Sequence, residues 1–407
     1  MTKAPFWTSK RVLELEESQT LAMAARSRAL AEQGIEIINL SLGEPDFDTP
    51  DHIKAAACRA VEDNYSHYTP VAGYADLRQA VCHKMSHELG WNVGPGQVIF
   101  STGAKQSLIN VLLSVLNPGD EVLLPAPYWV SYAGMIQMAE AKAVVVVGSP
   151  ANGYKVLPEQ LEAAITPKTR LLLYSSPCNP SGAAYHADEL GAWADVLRRH
   201  PGILVVSDEI YEHIRFEGTH ASIVQQEGMK DRTVVVNGMS KGYAMTGWRL
   251  GYAVAPPEIA EACVKLQGQY TSATCSIAQR AALAALSGTM EPTYRMREAF
   301  RQRRDLFYQA LQGLYGWECP LPQGAFYLFP RISDWFKLPW RGEPLGHAER
   351  VAEFLLEEAR VATVAGDAFG CPDCLRLSTA SSEDKLLEAA RRIRTAIEER
   401  LVEHRVG

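Results

Sequence analysis

The stretch TVVVNGMSKGYAMTGWRLGYAVAP, residues 233–256, carries the prediction of the fold. Its β-branched residues 234–236 predict a buried strand, and a second apolar strand begins near Leu250. Lys241 follows the first strand after a polar break, so it would project into a crevice at the carboxyl edge of an open sheet, where α/β folds bind ligands. A desolvated lysine there loses its proton readily and becomes a nucleophile for carbonyls. A lysine that merely caps the loop is the alternative.

Strands and helices alternate around this stretch. Short apolar runs separated by segments of helical length favour a mostly parallel sheet covered by helices, which is an α/β fold. Beyond Pro256 helices dominate, and the last part of the chain mixes strands and helices. We therefore predict a large domain over residues 48–295 and a smaller α+β domain from residues 1–47 and 296–407. The predicted strands of the sheet are residues 97–101, 121–124, 143–147, 170–175, 203–207 and 233–236.

Composition indicates a soluble globular protein. Of the 407 residues, 47% are apolar and 21% charged, and the net charge is −7 without a basic cluster. This balance argues against nucleic acid or an anionic membrane surface as a partner. Residues 122–139 carry no charge, but Pro125, Pro127 and Gly134 interrupt them, so we expect a buried strand, a loop and a helix rather than a membrane span.

The cysteines and the N-terminus predict a cytoplasmic location. The first residues lack the apolar core of a signal peptide, and the eight cysteines are scattered, as expected of reduced thiols. Cys371 and Cys374 form a single CxxC motif without a second pair or nearby histidines. We therefore expect no metal site.

Two loops with phosphate-binding or polar character follow predicted strands. STGAKQSL, residues 101–108, places a glycine before a helix, whose free amides can bind a phosphate. This signal is weak alone, because many strand–helix turns contain glycine. In SSPCNPSG, residues 175–182, Asn179 precedes Pro180 and is held extended, so its amide would point into the crevice; an ordinary Asn-Pro turn is the alternative.

Three further charged or phenolic positions complete the set. Asp208 follows an apolar run and needs a cation or strong donors, with Tyr211 three residues later; a helix-capping aspartate is the alternative. Arg249 lies eight residues after Lys241. Arg376 lies inside an apolar strand, where its guanidinium would bind a carboxylate in two-pronged fashion or form an internal salt bridge.

Pyridoxal phosphate uses all of these groups. It needs a lysine for its aldehyde, an acid opposite its ring nitrogen, donors near its phenolic oxygen and an anion site. The chain resembles the class I aminotransferases of fold type I, close to the bacterial aspartate aminotransferases. SKGYAMTGWRLG resembles that family's lysine motif, NPSG its asparagine motif and DEIY its aspartate–tyrosine motif. GEPDFDTP, YTPVAGYADLR and PAPYWVSY resemble further segments, so the similarity covers nearly the whole chain.

The resemblance implies a role for each matching residue. Lys241 would join the cofactor's aldehyde and then move the substrate proton, Asp208 would pair with the ring nitrogen, and Tyr211 and Asn179 would bond the phenolic oxygen. The other implied contacts fall into four groups: phosphate ligands Gly103, Ala104, Lys105 and Arg249; a ring-stacking Trp129; substrate-binding Gly43, Trp129, Asn179 and Arg376; and Tyr68, which would reach the phosphate in the other subunit of a homodimer. A core tryptophan is the alternative for Trp129, and a solvated side chain for Lys105.

The chain departs from the family pattern at two places. Many relatives have a serine three residues before the lysine as a phosphate ligand, but here Gly238 occupies that position, and Ser240 is an undecided substitute. Animal-type enzymes bring an arginine from the partner subunit to the distal carboxylate, and residues 269–279 offer no clear equivalent. The segment around Ser18 and Thr20 is our expectation for that role.

These implications predict a ping-pong aminotransferase that moves an amino group from an L-amino acid, with aspartate expected, to a 2-oxo acid, with 2-oxoglutarate expected. The alternatives within the same fold are an aromatic or prephenate aminotransferase and a β-lyase. A non-catalytic sensor of pyridoxal phosphate is a further alternative, but such regulators carry a DNA-binding module, and no N-terminal segment here is long or basic enough for one.

Overall fold

The computed structural model describes residues 7–15 and 19–406. Its strands follow one another along the chain as β1 (Ile38–Asn39), β2 (Val98–Ser101), β3 (Glu121–Ala126), β4 (Lys142–Val147), β5 (Thr169–Ser175), β6 (Leu204–Asp208), β7 (Thr233–Gly238), β8 (Gly251–Val254), β9 (Tyr327–Leu328), β10 (Pro339–Trp340), β11 (Glu343–Pro344), β12 (Val361–Ala362), β13 (Val364–Ala365) and β14 (Leu375–Ser378).

The helices alternate with these strands in the first two thirds of the chain and dominate after β8. They are α1 (Lys10–Leu13), α2 (Gln19–Glu32), α3 (Asp51–Glu62), α4 (Ala75–Leu89), α5 (Ala104–Val115), α6 (Ser131–Met138), α7 (Pro158–Ala164), α8 (Ala187–Arg199), α9 (Pro257–Tyr270), α10 (Ser276–Ser287), α11 (Glu291–Leu311), α12 (Ala348–Phe354) and α13 (Glu383–Val406).

The central sheet has the strand order β2-β8-β7-β6-β5-β3-β4. All neighbouring pairs are parallel except those of β8, which runs antiparallel to both β2 and β7. Residues 239–250, between β7 and β8, contain no helix, so the chain returns directly alongside the strand it has left. The predicted mostly parallel α/β sheet is therefore confirmed, with one reversed strand.

Helices cover both faces of the sheet. All six residues of β7 are buried, which explains its continuous run of valines rather than an alternating pattern. On one face α5 packs over β7 and β8, α9 packs over β2 and against α5, and the core of this face includes Val236. On the other face Trp193 of α8 packs its ring against Tyr174 of β5, with centroids 5.2 Å apart.

A second core lies outside the sheet. Strands β13, β14 and β9 form a small antiparallel sheet, and β1 pairs with β12. Ile38 and Leu40 share a core with apolar residues between positions 307 and 397, which places part of the N-terminal segment with the C-terminal one. The predicted domain limits at 47/48 and 295/296 agree with this packing and stay a prediction.

The uncharged run at residues 122–139 forms β3, a loop and α6, as predicted. Across the described ranges, we find no helix that combines the length and the apolar character needed to cross a membrane. The hairpin of β10 and β11 was not predicted, because two-residue strands leave almost no periodic signal in a sequence.

Parallel pairing brings several polar residues to one edge of the sheet. β5 ends at Ser175, which pairs in register with Asp208 at the end of β6, and Asp208 pairs with Val236 of β7. Lys241 follows β7 by three residues. The carboxyl ends of these strands thus bring Asp208 and Lys241 to the same crevice.

Candidate active site

A cavity of about 350 Å³ lies at this edge of the sheet. Its walls come from the strand ends, from the start of α5 and from residues of the second core's segments. Its lining includes twelve of the residues that the sequence singles out: Thr20, Gly43, Ala104, Lys105, Trp129, Asn179, Asp208, Tyr211, Ser240, Lys241, Arg249 and Arg376.

Lys241 is half-buried, and its Nζ donates a hydrogen bond to the carbonyl oxygen of Gly43. The rings of Tyr211 and Phe326 lie 5.8 and 5.7 Å from Nζ. Burial lowers the pKa of Lys241 to about 8, with Arg376 and Arg249 adding to the effect against the opposing charge of Glu44. A substantial fraction of this amine is therefore neutral near physiological pH and able to attack a carbonyl.

Asp208 is buried at the end of β6 and accepts two hydrogen bonds. The Tyr132 hydroxyl donates to Oδ2 at 2.6 Å, and the Ile210 amide donates to Oδ1 at 3.2 Å. Burial raises the pKa of Asp208 to about 6, although the bond from Tyr132 acts in the opposite direction. A carboxylate in this state gains from a cationic partner in the cavity, as a protonated pyridine nitrogen would be.

Tyr211 lies beside Asp208 with its ring buried. Its hydroxyl is 2.7 Å from the hydroxyl of Tyr327, and either oxygen can donate. Burial raises the pKa of Tyr211 well above its ordinary value, so the phenol keeps its proton and acts as a hydrogen-bond donor.

Arg376 and Asn179 form one hydrogen-bonded unit in the cavity lining. Arg376 Nη1 donates to Asn179 Oδ1 at 3.0 Å, and Nη2 donates to the carbonyl oxygen of Ser41. The guanidinium also stacks over the rings of Tyr327 and Phe369, at 4.8 and 5.0 Å from their centroids. No carboxylate of the described residues is among its hydrogen-bond partners, and its buried Nε has no partner within the described part of the chain. The internal salt bridge considered for Arg376 is thus not what the structure shows.

The start of α5 and Arg249 form the anion-binding corner. Gly103 precedes the helix with φ +83°, and a Cβ at this position would lie 2.6 Å from Arg249 Nη2. Gly251 of β8 lies equally close to the start of α5, because a Cβ added at Gly251 would lie 2.2 Å from the Ala104 amide nitrogen. The two glycines therefore let the guanidinium and the free amides of the helix come together, which suits a phosphate.

Trp129 and Lys105 lie beside this corner. Trp129 lines the cavity and packs edge-on against Tyr132, with centroids 5.4 Å apart. Lys105 Nζ lies 5.2 Å from the centre of the Trp129 ring. Burial lowers the pKa of Lys105, and Arg249 adds to the effect. Lys105 thus presents its side chain, and not only its backbone, to the cavity.

Tyr68 is the expected position that the described chain holds away from the cavity. Tyr68 is 98% exposed, so it makes no contact with the site of its own subunit. Ser18 lies outside the described residues, whereas its neighbour in the same expectation, Thr20, lines the cavity.

The glycine that replaces the family's serine has a packing reason. A Cβ at Gly238 would lie 2.9 Å from the Cα of Gly251 and 3.0 Å from the carbonyl oxygen of Leu250. A serine would therefore push β8 away from β7. Ser240 lines the cavity.

Two tyrosines that contact the site were missed from the sequence. Tyr132 bonds Asp208, and Tyr327 bonds Tyr211. Trp129 and Tyr132 are three residues apart at the point where α6 begins, and this spacing puts both rings on the same side of the chain. The spacing is therefore a sequence signal from which Tyr132 could be predicted. Tyr327 reaches the site only through tertiary packing of β9.

The donor set fits pyridoxal phosphate. The cavity offers an amine of lowered pKa, a buried carboxylate, a phenol with an amide beside it, and a phosphate cradle that a Cβ at Gly103 would fill. The guanidinium of Arg376 keeps an unused donor at Nε, so this cation suits a second anion, the carboxylate of an amino acid.

Comparison with known proteins agrees with this chemistry. The sequence profile of the family described as "Aminotransferase class I and II" matches residues 35–393. An aspartate/prephenate aminotransferase of Cereibacter sphaeroides is 47% identical over 390 residues, which cover 95% of this chain and 97% of that protein. An aspartate aminotransferase of Geobacillus stearothermophilus is 43% identical over 397 residues, which cover 96% of this chain and 99% of that protein.

The crystal structure of the Rhizobium meliloti aspartate aminotransferase superposes with a TM-score of 0.93 at 40% identity, over 97% of this chain and 99% of that one. The chain therefore belongs to the class I and II aminotransferases, enzymes that depend on pyridoxal phosphate.

Proposed function

We propose that this aminotransferase takes the amino group of L-aspartate and passes it to 2-oxoglutarate by a ping-pong sequence. The observation that carries the proposal is the pairing of Lys241, with its pKa of about 8, and buried Asp208 in one cavity that also holds Arg376. The names of the relatives from Cereibacter sphaeroides and Geobacillus stearothermophilus support aspartate as the donor.

Each residue has a role in the proposed reaction. When bound, pyridoxal phosphate supplies an aldehyde that takes up the amino group and a ring that withdraws electrons from the substrate's Cα. Asp208 would hold a proton on the ring nitrogen, and Tyr211 and Asn179 would donate to or orient the phenolic oxygen. Arg249 and the amides at the start of α5 would bind the phosphate, and Trp129 would pack against the ring.

Lys241 is the proposed acid and base. Its neutral amine would take the proton from the substrate's Cα and, once protonated, would give it back as an acid. Arg376 fixes the α-carboxylate with a two-pronged pair, so that the Cα–H bond faces Lys241 Nζ. The second half of the cycle uses the same groups in reverse order with a 2-oxo acid.

The cavity's charges favour a dicarboxylic substrate. Four basic side chains, Lys105, Lys241, Arg249 and Arg376, occur among the described lining residues, beside the acids Glu44 and Asp208. With Lys241, Arg249 and Arg376 assigned to the aldehyde, the phosphate and the α-carboxylate, the side chain of Lys105 is proposed for a side-chain carboxylate, while its backbone amide stays an expected phosphate ligand. Thr20 lines the cavity as well and is proposed to contribute its hydroxyl.

The site is proposed to be completed in a cytoplasmic homodimer. Tyr68 is exposed in the single chain, yet it lies in a segment that resembles the family's intersubunit motif. A second copy would bring this phenol to the phosphate. Cys371 and Cys374 are buried neighbours that remain thiols, which suits a reducing compartment.

A substrate panel tests the proposal. Purified holoenzyme would be assayed with aspartate, glutamate, phenylalanine, alanine and prephenate, each with its partner 2-oxo or amino acid. We expect the highest kcat/KM for aspartate with 2-oxoglutarate. A preference for phenylalanine or prephenate would contradict aspartate as the main donor, and release of pyruvate with ammonia from a cysteine conjugate, without a 2-oxo acid acceptor, would indicate a β-lyase instead.

A further inference from the structure

Two carboxylates that the proposed reaction does not use follow Asp208 into the interior. Glu209 is 1% exposed and Glu212 is 8% exposed. Neither lines the cavity. Burying a carboxylate costs free energy unless cations or strong donors face it, so the groups around these two acids decide what they do.

Glu209 is fully bonded. Its Oε1 accepts from the hydroxyls of Ser207, at 2.8 Å, and Ser222. Its Oε2 lies 2.9 Å from Nε2 of His220. The backbone amide of Glu209 donates to the carbonyl oxygen of Val236, which ties the residue after Asp208 to the strand that leads to Lys241.

Glu212 is paired with a lysine from another element. Lys84 of α4 donates to Glu212 Oε2 at 2.8 Å and also contacts Glu88 at 2.6 Å. Burial alone would raise the pKa of Glu212, but the charge of Lys84 holds it at about 2. His213 Nε2 lies 3.2 Å from the other oxygen.

These two pairs form one cluster. An oxygen of Glu209, an oxygen of Glu212 and a ring nitrogen of His220 all lie within 4.8 Å of one another. Burial alone would lower the pKa of His220, but the charge of Glu209 and the bond to it outweigh burial and raise that pKa. Burial does lower the pKa of His213. Lys84 and His220 are thus the cations that balance the two buried acids.

The cluster contacts the chain on both sides of the active site. Glu209 adjoins Asp208 in sequence. His213 packs against Gly242, the residue after Lys241, so closely that a Cβ on Gly242 would lie 2.6 Å from His213 Cδ2. A change in the cluster therefore reaches the backbone of both Asp208 and Lys241.

We propose that Glu209 and His220 form a buried ion pair that positions Asp208 and cancels charge behind the cofactor's ring. The proposal rests on the role of Asp208 given above. With His220 protonated, Lys84, Glu209, Glu212 and His220 have no net charge. Loss of the His220 proton leaves one negative charge next to Asp208, which opposes the ionisation of that carboxylate and stabilises positive charge nearby.

A bound divalent cation is the competing occupant of the same three residues. It is disfavoured because Lys84 Nζ already lies 2.8 Å from Glu212 Oε2 and would repel the ion. The hydroxyls of Ser207 and Ser222 also occupy one oxygen of Glu209.

The first test titrates the visible absorbance of the holoenzyme, which reports the protonation of the nitrogen that joins Lys241 to the cofactor. His220→Gln keeps a donor for Glu209 but removes the charge, and we expect the midpoint to rise on the order of half a pH unit. The double variant Glu209→Gln with His220→Gln is neutral, and its midpoint is expected to return to the wild-type value. His87→Gln, an exposed change on α4, is the matched control and should leave the midpoint unchanged.

The second test needs no cofactor, and its titration is read on the wild-type protein. In the wild-type apoprotein, NMR of labelled histidine should show a His220 ring that titrates above its ordinary value, assigned by loss of its signal in the double variant. The ion pair would be overturned by a His220 ring that is neutral at pH 6. It would also be overturned if the absorbance midpoint did not move in His220→Gln, or if the moved midpoint persisted in the double variant. A stoichiometric metal in the wild type that the double variant lacks would overturn it as well. If instead the wild type itself shows no cofactor absorbance, the proposed function fails, while the NMR titration still decides the ion pair.

Discussion

Tyr132 donates its hydroxyl proton to Oδ2 of Asp208 at 2.6 Å, and both side chains are buried. Asp208, the acid proposed to face the cofactor's ring nitrogen, is thus bonded by a residue of α6 whose ring packs against Trp129. This bond lowers the pKa of Asp208 against the effect of burial, and so favours the charged form that the ring requires.

Tyr132→Phe should therefore weaken cofactor binding. Hydrogen bonds to charged groups contribute about 1.5–3 kcal/mol, which corresponds to roughly a 10- to 150-fold higher Kd for pyridoxal phosphate. Tyr294→Phe, a half-exposed change on α11, is the control and should have the wild-type Kd. Unchanged cofactor affinity in Tyr132→Phe would show that the bond does not support the charge on Asp208.

Arg376→Lys should raise KM for the amino acid while the protein stays folded. A lysine keeps the charge but loses the planar fork that binds a carboxylate in two-pronged fashion, so we expect KM to rise about 10-fold or more. Arg391→Lys, at an exposed position paired with Glu388, is the control. An unchanged KM, with thermal stability like that of the wild type, would remove Arg376 from substrate binding.

The buried amine of Lys241 predicts a pH-dependent cost to stability in the apoprotein. Its pKa falls from 10.5 in the unfolded chain to about 8 in the folded protein. Below pH 8 folding therefore buries a protonated amine, which lowers the free energy of unfolding. Between pH 8 and 10.5 the unfolded chain holds more protons, and the stability of the wild type should rise with pH relative to Lys241→Met. Over this range the stability of the wild type should rise by roughly 3 kcal/mol relative to that of the variant.

Urea unfolding of both apoproteins across this pH range measures the difference. Lys142→Met, at an exposed position on β4, is the control and should show no such pH dependence. A stability difference between the wild type and Lys241→Met that stays constant from pH 7 to pH 10.5 would contradict the lowered pKa.

Gly103→Ala should displace Arg249 from the start of α5. The new Cβ would collide with the guanidinium, so the affinity for pyridoxal phosphate should fall, and added free phosphate should protect the apoprotein less against heating. Gly119→Ala is a matched control, because Gly119 has a similar φ of +87° but open space around it. Both variants should lose about 1 kcal/mol of stability from backbone strain, but only Gly103→Ala should lose phosphate binding. Equal phosphate protection in the two variants would contradict the proposed phosphate site.

Much of the fold follows from local patterns in the chain. The valine run of β7 and the strand–glycine–helix junction at Gly103 are local signals, and they predict both the sheet and the edge at which the site lies. β3 and β6 extend past their predicted ends by one or two residues, because Pro125 and Asp208 look like strand breakers although their neighbours still pair.

The contacts between distant residues could not be predicted in the same way. The bond of Tyr132 to Asp208 joins residues 76 positions apart, and that of Arg376 to Asn179 joins residues 197 apart. Such pairs depend on how helices and the second core pack against the sheet, which no local pattern encodes. The resemblance to a family supplied the roles of Asp208, Asn179 and Arg376, while the buried cluster behind Asp208 emerged only from the packed side chains.

The most direct test of the account is to locate the covalent bond to the cofactor. The holoenzyme would be reduced with borohydride, digested and mapped by mass spectrometry. We predict one phosphopyridoxyl group per chain, on Lys241, and none in Lys241→Ala. A phosphopyridoxyl group on Lys105 or another lysine, or none on the wild type saturated with pyridoxal phosphate, would contradict the central claim.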